Sequence, residues 1–144
     1  MEESLKIVCP YCYTANRVRS ARLGDRPKCG RCKRELFFST PVDLNTANFE
    51  STITLNDIPV VVEFWSPSCG YCQMMAPAYE QAAAQLEPRI RLARVNTQAE
   101  PMIANRFGVQ GTPTTIIFKN GREVARRAGV MDLGTLVGWV RYYS

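Results

Sequence analysis

With 144 residues, 46% hydrophobic and 22% charged, the chain has material for one full domain and a small accessory module at ~100–150 residues per typical domain, and it is too apolar to be disordered throughout. No apolar run approaches the ~20 residues needed to span a bilayer; the longest near the N-terminus, Ile7-Val8-Cys9, is too short for a secretory h-region, so the expected compartment is the reducing cytoplasm. The formal charge of +5 is lopsided: residues 1–40 hold nine Lys/Arg against four Asp/Glu, and residues 41–144 hold nine of each, which sets the N-terminal stretch apart as a module of its own.

That first module, residues 1–38, shows little apolar periodicity but carries two cysteine pairs, Cys9-Pro-Tyr-Cys12 and Cys29-Gly-Arg-Cys32, sixteen residues apart. The chain has six cysteines and no histidine. In a reducing compartment such pairs read as metal ligands or redox dithiols rather than a disulfide framework. Two C-x-x-C pairs at ~15–20 residue spacing match a tetrahedral zinc site. A two-residue gap lets one tight turn present both sulfurs to one ion, and Gly30 suits the second turn. Cys9, Cys12, Cys29 and Cys32 are therefore expected to hold one Zn²⁺, structural or redox-responsive, whose binding supplies folding free energy to a segment poor in core residues. Four thiolates and Zn²⁺ sum to −2, which the basic residues offset. Nucleic-acid binding is disfavoured, because residues 17–34 contain no aromatic ring for base stacking.

The composition changes near Pro41, and residues 41–144 read as the larger domain. Residues 59–65, Pro-Val-Val-Val-Glu-Phe-Trp, predict a strand buried on both faces. Apolar spacing predicts a helix over 69–86, interrupted by Pro77. A strand over 90–95 and a short helix over 99–107 follow. Strands over 114–119 and 123–128 are joined by Asn120-Gly121, a hairpin signal. A closing helix over 132–142 has Asp132 as its N-cap. The order implies an α/β architecture, a mixed sheet with helices on both faces.

The third pair, Cys69-Gly70-Tyr71-Cys72, lies where the buried strand gives way to a helix. The orphan N–H groups and the dipole of a helix start favour a thiolate at Cys69. Cys72, three residues on, is within disulfide reach. This spacing predicts Cys69 as the exposed attacking sulfur and Cys72 as the more buried resolving one.

Phe64-Trp65-Ser66-Pro67-Ser68-Cys69-Gly70-Tyr71-Cys72 resembles the thioredoxin active-site segment, Gly111-Thr112-Pro113-Thr114 its cis-proline loop, and Phe118-Lys119-Asn120-Gly121 its hairpin. With the cysteine knuckles in front, the chain is similar to the zinc-containing thioredoxins of bacteria, the thioredoxin-2 type. The resemblance implies a thioredoxin fold preceded by a zinc ribbon, and reduction of disulfides in cytosolic proteins through a mixed disulfide. It also implies recycling by an NADPH-dependent thioredoxin reductase. By the same resemblance Trp65 flanks the active site, Glu63 takes the place of a buried Asp that exchanges a proton with the resolving cysteine, and Arg94 that of a Lys paired with the acid. Pro113 would be cis, and Thr112, Gly129, Gly70 and Tyr71 would meet the substrate. From the residues alone, Glu63 reads as a buried carboxyl or an edge residue, Arg94 as paired or solvated, and Thr112-Pro113 as trans by the ~5–6% frequency of cis X–Pro bonds.

Two departures stand out: Ser68 replaces the usual Trp before the first cysteine, and Gly-Tyr replaces Gly-Pro between the cysteines. Tyr71 restores an N–H at the helix start, which is expected to favour the Cys69 thiolate and make the dithiol less reducing. Alternatives to the reductase are an isomerase or oxidant, suggested by Gly-Tyr, and a redox sensor in the zinc ribbon.

Overall fold

The computed structural model describes residues 3–144. The chain opens with an antiparallel pair, β1 (Ser4–Val8) and β2 (Ala15–Arg19), in register Val8 to Ala15. The first cysteine knuckle is the loop of this hairpin, and the second sits inside an isolated bridge between Lys28 and Glu35. These strands carried little sequence signal, yet Leu5, Ile7 and Val18 all pack into one apolar cluster. Ile7, Val18, Leu23 and Leu36 form a small apolar cluster with Cys9 and Cys29, and Ile58 from the following unit completes it. The ribbon thus shares its core with its neighbour, which is how so short a segment buries apolar surface.

Residues beyond the ribbon form β3 (Val42–Leu44), α1 (Phe49–Leu55), β4 (Val60–Trp65), α2 (Gly70–Leu86), β5 (Arg91–Asn96), α3 (Pro101–Arg106), β6 (Thr114–Lys119), β7 (Arg122–Ala128) and α4 (Leu133–Tyr143). The five-stranded sheet runs β3-β5-β4-β6-β7. β3, β5 and β4 are parallel, while β6 pairs antiparallel with β4 and with β7. Strand alternation sorts the core. Val60, Val62 and Phe64 meet α1 and α3 through Phe49, Ile53 and Ile103. Val61, Leu92 and Ile117 meet α2 and α4 through Met75, Tyr79, Leu136 and Val140. β4 lies at the centre and delivers Trp65 to one end of the sheet. The outer strands are unlike it: β3 has three residues, and β7 is largely exposed, with Arg122, Arg126 and Arg127 facing out.

The expected strands and helices are all present, with ends moved by one or two residues; the helix expected at 99–107 is confined to Pro101–Arg106, with Pro101 in its first turn. Asp132 does cap α4, accepting from the Thr135 N–H at 2.8 Å. β3 and α1 carried no sequence expectation.

The ribbon is held to the rest by buried polar hooks. Asn56, 1% exposed, accepts from the Val8 N–H at 2.9 Å and donates to the Thr52 carbonyl at 2.8 Å. Arg91 and Glu87 form an ion pair at 3.3 Å with both side chains 1% exposed. Arg91 also donates to the Leu36 carbonyl at 2.6 Å and lies over the Phe37 ring, while Glu87 accepts from the Ser39 N–H at 3.2 Å. Both members of the pair therefore grip the segment that leaves the ribbon. Among the described residues, no helix is long and apolar enough to cross a membrane.

Candidate functional site

Cys69 and Cys72 are joined by a disulfide, their Cα atoms 5.3 Å apart. The chain turns from β4 into α2 through the bond from the Cys69 N–H to the Ser66 carbonyl, at 3.2 Å. Cys69 is the N-cap of α2, with extended backbone (φ −91°, ψ 110°), and its sulfur accepts from the Cys72 N–H at 3.1 Å. A sulfur in the capping position satisfies one of the orphan donors of the helix start, as a Ser or Asp oxygen would. The N–H that reaches the sulfur is that of Cys72, whereas the sequence pointed to that of Tyr71. Cys69 is half-buried and Cys72 only 4% exposed; Tyr71, on the outside of the turn, is 66% exposed.

The loop before β6 faces this pair. The Thr112–Pro113 peptide bond is cis, and the Thr112 carbonyl oxygen lies 3.4 Å from the Cys69 sulfur. The Pro113 carbonyl accepts from the Gly129 N–H at 2.9 Å, and Gly129 has φ +94°, a backbone that favours glycine. Thr112, Pro113 and Gly129 are thus brought together beside the cysteines.

Beside Cys72 a cavity of about 130 Å³ is lined by Glu63, Trp65, Ser66, Pro67, Cys72, Gln73, Ala76 and Arg94. Glu63 is 1% exposed, which removes the edge-residue alternative. Glu63 stands opposite Arg94 on β5 and Thr115 on β6. Burial pushes its carboxyl up to about 7, against the opposing pull of the Arg94 charge. Glu63 Oε2 and Trp65 Nε1 have no hydrogen-bond partner in the protein among the described residues. Arg94 is neither fully buried nor solvated: its side chain is 22% exposed, its Nε is 3.9 Å from Asp43 Oδ1, and its guanidinium lies over the Trp65 ring. Water admitted to the cavity would find polar atoms on Glu63, Trp65 and Arg94, which suits proton traffic.

Two positions near the cysteines, Met74 and Gln98, drew no notice in the sequence. Met74 is 67% exposed in the first turns of α2. Gln98, after β5, donates to the Ser68 hydroxyl at 2.9 Å. Tyr79, which the apolar spacing of α2 did place inward, is fully buried, and its single hydroxyl proton lies between the carbonyls of Ala93 and Val61, at 2.7 and 3.1 Å. A polar residue in a loop and an exposed Met on a helix have no periodic signature, so nothing could have singled them out.

In the ribbon, the sulfurs of Cys9, Cys12, Cys29 and Cys32 all lie within 4.8 Å of one another. Cys9 and Cys32 sulfurs are 3.5 Å apart, and those of Cys12 and Cys29 3.6 Å. Tetrahedral coordination at ~2.3 Å requires sulfur–sulfur edges of about 3.8 Å, so the cluster fits a zinc ion. The two knuckles repeat one another. The Cys9 N–H reaches Thr14 O and that of Cys29 reaches Arg34 O, at 2.9 and 2.8 Å. Tyr13 and Lys33 take equivalent left-handed turns at φ 66° and 70°. The Tyr11 and Arg31 N–H groups each donate to a cysteine sulfur, Cys9 and Cys29, at 3.4 Å. Asn16 ties the knuckles together, accepting from the Gly30 N–H at 2.8 Å and donating to Thr14 O.

The family profile described as Thioredoxin matches residues 40–142, and that described as Thioredoxin 2, N-terminal, a zinc ribbon, matches residues 8–34. Thioredoxin C-3 of Corynebacterium nephridii is 37% identical over 134 residues, covering 93% of this chain and 92% of that protein. Thioredoxin 1 of a Nostoc species is 36% identical over 98 residues, covering 68% and 92%. Among solved structures, a mutant thioredoxin from Halobacterium salinarum superposes with a TM-score of 0.66 at 25% identity, covering 73% of this chain and 91% of that one.

Proposed function

This chain belongs to the thioredoxin family and is a protein-disulfide reductase; we propose that Cys69 is its attacking sulfur, Cys72 its resolving sulfur and Glu63 the group that takes the Cys72 proton. The observation that carries this reading is the placement of one sulfur in the cap of α2 and of the other against the Glu63 cavity.

In the reduced chain the Cys69 thiolate attacks a substrate disulfide. A bond forms between Cys69 and one substrate sulfur, and the other substrate sulfur leaves with the electron pair and takes a proton. Cys72 then loses its proton towards Glu63, directly or through the cavity, and attacks the Cys69 sulfur. The mixed disulfide breaks, the second substrate thiol is released, and Cys69–Cys72 is left oxidised. The substrate gains two electrons and two protons. A carboxyl near 7 is matched to that transfer, since it exchanges protons readily at working pH. Arg94 tempers how far the acid rises, and Trp65 closes the cavity over it. Thr112, cis Pro113 and Gly129 form one wall of the groove that takes an extended substrate, with Gly70 and Tyr71 on its other side. Two electrons from an NADPH-dependent thioredoxin reductase restore the dithiol, and the working compartment is the cytoplasm.

The division of labour is between a ribbon of residues 1–38 and a catalytic unit of 41–144. Cys9, Cys12, Cys29 and Cys32 would hold one zinc ion, which supplies a crosslink between the two knuckles. The fit of the sulfur spacing and the shared core with Ile58 support a structural role.

Replacement separates the roles of the two sulfurs. Cys69→Ser is expected to abolish insulin reduction in a reductase-coupled assay. Cys72→Ser should retain the first attack and accumulate mixed disulfides visible by non-reducing electrophoresis. Turnover by Cys69→Ser would overturn the assignment.

A further inference from the structure

One side-chain pair beside the nucleophile has no part in the steps above. Ser68 directly precedes Cys69, and its hydroxyl accepts from Gln98 Nε2 at 2.9 Å across a gap of 30 residues. Both residues are exposed. The loop that carries Gln98 is itself fastened to the strand end leading to the cysteines. The Thr97 N–H donates to the Trp65 carbonyl at 2.8 Å, and Asn96 Oδ1 accepts from the N–H groups of Gln98 and Ala99 at 3.0 and 3.3 Å. An exposed Gln ordinarily samples many rotamers, and ordering one costs up to ~2 kcal/mol. Here that cost is already met by a rigid loop and a hydroxyl partner, so the carboxamide is preorganised.

Its remaining capacity is specific. A carboxamide has two N–H donors and one acceptor oxygen. One donor is engaged by Ser68, leaving an acceptor and a donor side by side. The group complementary to that pair is another amide, and the amide a reductase meets beside every disulfide is the peptide unit. Ser68 matters twice: it orients Gln98, and its small side chain leaves the space that the indole usual at this position in the family would fill.

We propose that Gln98, held by Ser68, is a specificity-determining residue that hydrogen-bonds the backbone of a polypeptide substrate next to the disulfide under attack. The proposal rests on the reading of Cys69 as the attacking sulfur. Recognition of the peptide unit adds affinity for disulfides in polypeptides without demanding a particular sequence. Small disulfides without peptide bonds gain nothing from it.

The test compares two substrates on the full-length, zinc-loaded chain: insulin, a polypeptide disulfide, and 5,5′-dithiobis(2-nitrobenzoate), which has no peptide bond. Gln98→Ala is expected to raise the KM for insulin about fivefold, equivalent to ~1 kcal/mol at ~1.4 kcal/mol per tenfold, with kcat changed less than twofold. The ratio of kcat/KM for the small disulfide to that for insulin should rise by the same factor. Ser68→Ala, which frees Gln98 without removing it, should move the ratio the same way by a smaller amount. Gln98→Glu keeps the acceptor and should recover part of the loss. An unchanged insulin KM in Gln98→Ala overturns the proposal. So does an equal fall for both substrates, which would make Gln98 a tie for the Cys69 loop and nothing more. A wild-type chain inert towards both substrates would instead remove the reading of Cys69, and this proposal with it.

Discussion

Glu63 shows how one buried atom group links stability to chemistry. It sits in an otherwise apolar strand, 1% exposed, and its carboxyl is raised from the ordinary 4.5 to about 7, chiefly by burial. Between those two values the folded chain keeps a proton that the unfolded chain has released. Stability therefore falls as pH rises through this window and levels off above about 7. The loss is on the order of 3 kcal/mol at ~1.36 kcal/mol per pH unit. Glu63→Gln, which cannot ionise, is expected to match the wild type near pH 4 and to exceed it by about that amount near pH 8 in urea unfolding. The same variant should slow release of the mixed disulfide. Parallel unfolding curves at the two pH values would contradict this account. The burial of Glu63 was legible only in part: three valines and Phe64-Trp65 around it argue for burial, but the residues alone left an edge position open. Its proton affinity was legible only in direction. The partners of Arg94 were not, since strand alternation does not say which neighbour a long side chain will choose.

At the scale of elements, the strand-to-helix junction was the most readable feature, because the β-branched run of β4, the capping sulfur and the helical spacing of α2 agree. β3 and α1 were not readable. Three residues are too few to show a period, and α1 carries Thr52, Ile53 and Thr54, whose branched side chains are weak helix formers. Its start is fixed instead by Asn45 and Asn48, each accepting from the backbone of the other. The Arg91–Glu87 clamp was equally hidden, since its targets are the backbone groups of Leu36 and Ser39. Burial pushes the Glu87 carboxyl up and the Arg91 guanidinium down, and the opposite charge of each partner resists the change. Removing one member leaves the other buried and unpaired, which costs about 3–5 kcal/mol. Arg91→Ala is accordingly expected to loosen residues 36–39 and to speed transfer of zinc to a chelating dye at least tenfold. The double replacement Arg91→Met with Glu87→Leu should restore much of the lost thermal stability. Zinc release at the wild-type rate in Arg91→Ala would show that the hook at Asn56 suffices to seat the ribbon.

Across the whole molecule, the ribbon and the dithiol lie at opposite ends of the same strands. Ribbon contacts gather at Ile58 and Arg91, before or at the start of β4 and β5, whereas Cys69 follows the far end of β4. Six residues of strand at ~3.3 Å each put roughly 20 Å between these ends. The ribbon sulfurs therefore cannot trade bonds with Cys69 of their own chain. Any influence of the metal on the dithiol must pass through the packing of the sheet. The two-layer cover of helices was legible from the order of elements, and the family likeness from the short motifs. How the ribbon docks was not, because it depends on Ile58 and Asn56, which belong to no motif. The outer strands carry a last consequence. β7 presents Arg122, Arg126 and Arg127 along an open row of backbone groups, and β3 on the opposite side is only three residues long. Charges on one margin and brevity on the other hinder lateral strand addition by a second molecule. Concentrated stocks should accordingly stay clear, and Arg126→Val with Arg127→Val should make them turn turbid and bind amyloid dyes on warming.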